Sequence, residues 1–325
     1  MRYTTATAFR QALEQRLKNE SAQTDLMLAR LRKRVAFELF LRRLLVVAPD
    51  RWVLKGALAL DFRFSTPTRA TKDIDLGRDD DEDAAIRDIT AAQQLALDDF
   101  FTFSATRSDA LDGADEFSAV RFHVVAQLAG RTFEQFRVDV AFLDAIPYEP
   151  DTIHSTDLLS FADIPPLSLP VIPIVQHLAE KVHAYTRIYG EQGRASTRPK
   201  DLVDILLISD SATVGARTLT EALEQTFRER NQQPLPSCLP PPPPTWADPY
   251  KQLANSVGIE TDLELAHTRA ATFLDPILAG NIEGRWDIAA RVWRPTDESQ
   301  HTVAPRSTRT ERESSRSAFD AKTKR

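Results

Sequence analysis

Two aspartates separated by one residue are the part of this sequence best suited to chemistry. They lie in the segment Asp73-Ile74-Asp75-Leu76, where polar and apolar residues alternate as in a β-strand. Strand side chains alternate between faces, so Asp73 and Asp75 should share one face while the two apolar residues point into the core. Neighbouring carboxylates repel each other unless a cation lies between them, and Mg²⁺ prefers oxygen ligands. The pair therefore predicts a magnesium site, with Mn²⁺ as the alternative ion.

An isolated pair of aspartates is more often part of a solvated turn than of a metal site. The residues before this pair, however, predict regular structure around it. Trp52-Val53-Leu54 has the length and flanks of a buried strand. Gly56 lets the backbone approach a ligand closely, and residues 57–60 indicate the first turn of a helix whose N–H groups would face a phosphate. The segment thus predicts a strand, a glycine turn, a helix and a second strand that carries the aspartates.

A further aspartate lies in the segment 132–142, which also has the period of a strand. Apolar residues recur at every second position from Phe136, which leaves Arg137 and Asp139 on the opposite face. An aspartate in an otherwise apolar strand is unfavourable unless it is paired, coordinated or exposed. Asp139 is therefore expected either to coordinate a ligand or to pair with Arg137 or Arg121 at the edge of a sheet.

Three charged residues stand out in the helices predicted after residue 173. Lys181 lies one turn from Leu178, on the apolar stripe of its helix, and an inward lysine needs an anion. Glu180 could supply that anion, or a nucleotide phosphate could. In the next helix Asp201 lies in the first turn, where the helix dipole favours an acid. Asp204 lies further along among apolar residues, where the dipole does not account for it.

Together these motifs resemble the nucleotidyltransferase superfamily and, within it, the AbiEii/AbiGii-type toxins of bacterial toxin–antitoxin systems. The resemblance extends over roughly residues 5–290. Four motifs in order carry it: VLKGALAL at 53–60, RATKDIDL at 69–76, LAEKVHA at 178–184 and RPKDLVD at 198–204. One departure is the pair Gly56-Ala57, where many relatives have Gly-Ser or Gly-Gly-Thr, so no hydroxyl is available at that point to hold a triphosphate.

The resemblance implies an enzyme that moves a nucleotide from a nucleoside triphosphate to an acceptor hydroxyl with the help of Mg²⁺. It implies that Asp73, Asp75 and Asp139 bind the metal. The catalytic set would contain Asp73, Asp75, Lys181, Asp201 and Asp204, with the last two orienting Lys181, a base or the acceptor. The implied nucleotide-binding set contains Lys55, Gly56, Ala57, Thr71, Lys72 and Lys181.

The same resemblance implies the biological partners. The acceptor would be the 3′ end of tRNA, so that transfer blocks translation, and a separately encoded antitoxin would counteract the enzyme. Two alternatives stay open on sequence grounds: a protein or small-molecule nucleotidyltransferase, and a catalytically silent binding module of the same fold.

Composition and charge are compatible with each of these three functions. The 325 residues include 41 Lys and Arg and 47 Asp and Glu, and this net charge of −6 gives no overall attraction for nucleic acid. A basic stretch in the predicted N-terminal helices is either a solvated face or a phosphate contact; it comprises Arg30, Arg32, Lys33, Arg34, Arg42 and Arg43. The single cysteine, Cys238, excludes an internal disulfide, and we expect a cytoplasmic protein without a membrane partner.

The expected fold class is α+β, with a nucleotidyltransferase-like mixed sheet preceded by helices and followed by a helical C-terminal domain. Residues 1–48 are predicted to be helical and residues 49–146 to form the catalytic core. A proline-rich linker is predicted at 147–172, followed by the helical domain 173–293 with a polyproline insert near 234–245. Residues 294–325 are predicted to be a disordered basic tail.

Overall fold

The protein, seen in a computed structural model, combines a seven-stranded mixed sheet with helices, which confirms the predicted α+β class. The structure describes residues 1–24, 26–64, 71–108, 119–142, 148–189, 194–230, 233–280 and 282–295. The predicted tail therefore lies, from residue 296 onward, outside the described residues. Among the described helices, none has the length and apolar content that crossing a membrane requires.

The helices and strands are numbered in chain order. Helices α1 to α9 span Ala6–Gln23, Leu28–Val47, Gly56–Arg63, Glu82–Gln94, Ile174–Thr186, Pro199–Ser211, Ala216–Arg230, Ala247–Val257 and Leu263–Leu278. Strands β1 to β11 span Val53–Lys55, Asp73–Arg78, Phe101–Arg107, Ala119–Leu128, Arg131–Phe142, Asp151–His154, Ser168–Val171, Ile188–Tyr189, Arg194–Ala195, Arg285–Asp287 and Val292–Arg294.

The main sheet has the strand order β3-β4-β5-β2-β1-β7-β6. The pairs β2–β5 and β1–β7 are parallel, and the other neighbours are antiparallel. β2, which carries the paired aspartates, therefore lies between β1 and β5. Ile74 and Leu76 are buried, as expected for the face of β2 that packs into the core.

The interpretation of residues 147–172 as a linker is wrong, because this segment completes the sheet. β6 pairs with β7, and β7 pairs in parallel with β1 through Val171 and Leu54. The backbone N–H of Ile172 donates a hydrogen bond to the carbonyl of Leu54 at 2.9 Å. The prolines of the segment indicate local breaks in regular structure, but β7 also joins the sheet through β1, which lies more than a hundred residues earlier in the chain.

The N-terminal helices cover one face of the strands β3, β4 and β5. Leu13 and Leu17 of α1 are fully buried, and their spacing of four residues keeps them on one face of the helix. The rings of Phe37 and Phe40 in α2 lie 4.9 and 5.8 Å from that of Phe136 in β5. These aromatic contacts fix the helices on the sheet.

A second hydrophobic cluster forms around α5 to α9. Two short hairpins, β8–β9 and β10–β11, interrupt the domain predicted to be helical over 173–293. The proline-rich segment near 234–245 packs on these helices: the hydroxyl of Tyr185 donates to the carbonyl of Pro240 at 2.8 Å, and the N–H of Leu239 donates to Asp275 at 2.8 Å. The polyproline insert is thus an integral part of this half of the chain.

The basic stretch of the N-terminal helices is neutralised within the molecule. Each of its six cationic side chains lies within ion-pair distance of a carboxylate, and the partners are Asp61, Glu14, Glu134, Glu38 and Asp99. These contacts show a stretch paired within the fold, which differs from the solvated face that the sequence suggested and leaves a phosphate contact without support.

The most deeply buried of these pairs predicts a large effect on stability. Arg43 donates two hydrogen bonds of 2.7 Å to Asp99, and its remaining donors reach backbone carbonyls. Replacing Asp99 by Ala leaves a buried charge without its partner, so we expect the free energy of unfolding to fall by about 3–5 kcal/mol. Arg51→Ala, which removes a half-exposed pair, should cost less than about 1 kcal/mol. Urea denaturation of both variants tests this, and similar losses would contradict it.

Candidate active site

Two rows of side chains cross the sheet on the face that carries the paired aspartates. Residues in register on adjacent strands share a face, and so do residues two apart on one strand. The first row, across β1, β2, β5 and β4, contains Lys55, Asp75, Asp139 and Arg121. The second row, across β2, β5, β4 and β3, contains Asp73, Arg137, His123 and Thr106. Asp73, Asp75 and Asp139 therefore lie together on one face, with cations on both sides.

Asp75 is at the centre of this arrangement. Burial raises the pKa of its carboxyl group, and the negative charges of Asp139 and Asp73 raise it further. The positive charges of Lys181 and Lys200, which belong to α5 and α6, act in the opposite direction. The C-terminal helices thus bring two lysines within electrostatic reach of the carboxylates on the sheet.

Gly56 brings the backbone into direct contact with Asp75. Its φ of +62° lies in the left-handed region that favours glycine. A Cβ atom built on Gly56 would lie 1.8 Å from Oδ2 of Asp75, closer than any side chain can approach. Gly56 also begins α3, so the N-terminus of that helix is beside the carboxylates. The glycine is required twice, by its backbone conformation and by the space that Asp75 occupies.

Lys55, predicted to bind nucleotide, forms an ion pair with Glu180 of α5. The two charged atoms are 2.7 Å apart, and Arg230 of α7 approaches the same carboxylate at 3.7 Å. Burial alone would raise the pKa of Glu180, but these two cations outweigh it and lower the pKa to about 2. Glu180 is therefore the partner of Lys55, and the interpretation of Glu180 as the anion for Lys181 is wrong.

Lys181 instead contacts both of the acids that the sequence singled out in α6. Its Nζ lies 2.8 Å from Asp204 and 3.4 Å from Asp201. All three side chains are buried, and Arg198 approaches Asp201 at 2.8 Å. Two carboxylates therefore hold one ammonium group, which fixes Lys181 in position.

Asp73 and Asp139 each bind an arginine on the neighbouring strand. Arg137 donates to both oxygens of Asp73 at 2.6 and 2.9 Å, and Arg121 donates to both oxygens of Asp139 at 2.7 Å. These hydrogen bonds raise the pKa of both guanidinium groups. Within the described part of the chain, no three His, Cys, Asp or Glu side chains are close enough together to form a metal site.

The other predicted nucleotide-binding residues have varied positions. Ala57 is buried in the first turn of α3. The hydroxyl of Thr71 donates to the backbone carbonyl of Asp73 at 3.0 Å and so steadies the start of β2. Lys72 is exposed immediately before β2. In this arrangement Thr71 supports the aspartates through the backbone.

Some residues of the site have no signal in the sequence. His177 lies one turn before Lys181, is 1% exposed, and has no hydrogen-bond partner for either ring nitrogen among the described residues. Nothing distinguishes it from a core residue until its surroundings are known. Lys200 was identified in the sequence only as part of the motif at 198–204. Its proximity to Asp75 depends on how α6 packs, which periodicity does not specify.

Comparisons with known proteins found a matching family model and similar folds. A family model described as the nucleotidyl transferase AbiEii toxin of type IV toxin–antitoxin systems matches residues 39–288. MenT4, a nucleotidyltransferase toxin from Mycobacterium tuberculosis H37Rv, has a TM-score of 0.51 and 16% identity, over 82% of this chain and 98% of that one. JHP933 from Helicobacter pylori has a TM-score of 0.43 and 14% identity, over 76% and 93%. No curated protein matches the chain.

The contact between Gly56 and Asp75 can be tested against a matched glycine. Gly130 also has a positive φ, but a Cβ atom there meets nothing within 4 Å. Gly130→Ala should therefore lower the free energy of unfolding by about 1–2 kcal/mol, through backbone strain alone. Gly56→Ala adds a clash with Asp75 and should cost clearly more in urea denaturation. Equal losses would show that Asp75 can move away freely.

His177 predicts a specific sensitivity to acid. Burial, followed by the charge of Lys181, lowers its pKa to about 3 from the usual 6.5. The unfolded chain takes up this proton below about pH 6.5 and the folded protein does not, so stability is lost as the pH falls from 6.5 toward 3. At pH 5 this loss is about 2 kcal/mol.

The acid sensitivity can be measured in urea at pH 7.5 and pH 5. The difference in unfolding free energy between these pH values should be smaller by about 2 kcal/mol in His177→Leu than in the wild type. His123→Leu is the control, since it removes an exposed histidine of β4 and leaves His177 in place. An unchanged pH dependence in His177→Leu would show that this ring takes up a proton in the folded protein.

Proposed function

Because the chain belongs to the AbiEii family of nucleotidyltransferase toxins from type IV toxin–antitoxin systems, we propose that it transfers a nucleotide from a nucleoside triphosphate to the 3′ end of tRNA. That it is a nucleotidyltransferase follows from the family, which confirms the resemblance seen in its motifs. The acceptor, the metal and the roles of individual residues are our proposal. The observation that carries it is the group of three aspartates on one sheet face, with Lys181 and Lys200 within electrostatic reach.

The aspartates suit a divalent cation. Asp75 is half-buried between two other negative charges, and this repulsion is what a bound cation relieves. Asp73, Asp75 and Asp139 would hold the ion only after their side chains turn toward one another, because in the arrangement described above no three acids of the described residues form a metal site. Mg²⁺ bound there would neutralise phosphate charge and favour ionisation of the acceptor hydroxyl.

Lys181 would bind the triphosphate. Asp201 and Asp204 hold its ammonium group toward the sheet, where its charge already reaches Asp75. In the reaction the acceptor oxygen forms a bond to the α-phosphorus, the bond between the α-phosphorus and the bridging oxygen breaks, and pyrophosphate leaves. The hydroxyl proton passes to solvent. Lys181 would stabilise the negative charge that develops on the leaving pyrophosphate.

The proposed acceptor explains how the enzyme would be toxic. A tRNA whose 3′ end carries an added nucleotide cannot be aminoacylated, so translation would stop. An antitoxin partner is expected from the toxin–antitoxin family, and it would be the product of a separate gene.

The proposal is tested with nucleoside triphosphates labelled at the α-phosphate. The purified protein is incubated with each labelled triphosphate, Mg²⁺ and total tRNA. We expect label to enter tRNA, and periodate oxidation of the tRNA 3′ end to prevent it. Asp75→Asn should lower the rate by at least about 100-fold, as removal of a preorganised electrostatic group commonly does.

Asp79→Asn provides the matched control, since Asp79 is an exposed acid that follows β2 outside the site. Its rate should equal that of the wild type. If the label instead enters protein or a small molecule of a cell lysate, that molecule is the acceptor and the proposal of tRNA is wrong. Equal rates in Asp75→Asn and Asp79→Asn would refute the assigned site.

A further inference from the structure

Arg121 and Arg137 occupy the oxygens that a metal ion would need. Each guanidinium group makes two short hydrogen bonds to one carboxylate, so both oxygens of Asp139 and both oxygens of Asp73 are engaged. Asp75, between them, is in contact with Gly56 instead. A cation that used all three aspartates would have to share Asp73 and Asp139 with the two arginines, and a metal ion and a guanidinium group compete for the negative charge of the same carboxylate.

These two ion pairs do not have the character of structural ones. The buried pair of Arg43 and Asp99 has side chains that are 1% and 4% exposed, whereas Arg137 is 39% exposed and Arg121 is 27% exposed. Exposed ion pairs usually contribute little to stability, although two hydrogen bonds to one carboxylate strengthen a pair. Because water reaches both guanidinium groups, a stronger anion can also reach them and exchange for the carboxylate.

From this geometry, and on the basis of the proposed function, we infer that Arg121 and Arg137 form a latch that couples metal binding to triphosphate binding. Without nucleotide they hold Asp139 and Asp73 and oppose metal entry. When the triphosphate enters, its phosphate oxygens accept the two guanidinium groups, and the carboxylates are released to the metal. The arginines are thus additional triphosphate-binding residues.

The chemistry of arginine fits both states of such a latch. The guanidinium group is always charged and its planar array of donors matches carboxylate and phosphate equally well. A metal ion entering alone would lie beside two displaced cations, which is unfavourable. A triphosphate supplies the anion that these cations lose, so metal and nucleotide should bind more tightly together than separately, and by the same factor in either order.

Mn²⁺ binding measured by electron paramagnetic resonance tests the latch without relying on activity. The wild type is compared with Arg121→Gln, Arg137→Gln and the double variant, each with and without a triphosphate whose α,β-bridging oxygen is a methylene group. Without nucleotide, the double variant should bind Mn²⁺ about tenfold more tightly than the wild type. The nucleotide should tighten Mn²⁺ binding by about tenfold in the wild type, within the usual range of coupling between sites, and much less in the double variant.

Three controls separate the possible results. Arg51→Gln removes an arginine that pairs with acids outside the site and should behave as the wild type. Arg121→Lys and Arg137→Lys keep the charge without the paired donors and should give intermediate values. Thermal melting of every variant establishes that it is folded.

The outcomes distinguish the latch from the proposed function. If the wild type binds Mn²⁺ with nucleotide and the arginine variants have the same affinities, the latch is wrong while the metal site stands. If the variants bind Mn²⁺ more weakly without nucleotide, the arginines support the site and the latch is again wrong. If the wild type binds no Mn²⁺ in either condition, the metal site and the latch are both wrong. The assay with labelled triphosphate and tRNA then tests the proposed transfer independently.

Discussion

Repulsion among the carboxylates of Asp73, Asp75 and Asp139 has to be offset by positive charge, because the three lie on adjacent strands of one sheet face. The surrounding elements are arranged to supply that charge. β4 and β5 contribute two arginines, and α5 and α6 contribute two lysines, of which Lys181 is itself placed by two acids. The ion pair between Lys55 and Glu180 joins β1 to α5 and so ties the helical half of the chain to the sheet. The position of Lys181 follows from this network.

Local patterns predicted the parts of the site that lie on single elements. The alternation around Asp73 and Asp75 indicated a strand with both acids on one face, and the same reasoning placed Arg137 beside Asp139. The pairing of Asp139 with Arg121 was one of the two alternatives that an aspartate in an apolar strand allows. Four motifs in order also indicated the family, which the match over residues 39–288 confirms.

Contacts between distant elements could not be predicted in the same way. Lys55 and Glu180 are neighbours only because β7, beside β1, leads into α5, and the prolines around β7 suggested a linker instead. Gly56 was recognised as a turn residue, but its contact with Asp75 depends on the register of β1 against β2. Period and propensity describe one segment at a time, whereas these features arise from the pairing of two.

The parallel pairing of β7 with β1 also determines when the sheet can be completed during synthesis. β1 and β2 leave the ribosome early, but the strand that covers the free edge of β1 ends at Val171. For the time needed to make about a hundred residues, that edge has unpaired backbone groups and can join another nascent chain. The chain also lacks Lys181 and Lys200 throughout this interval, so the aspartates are synthesised before the two lysines whose charges reach Asp75.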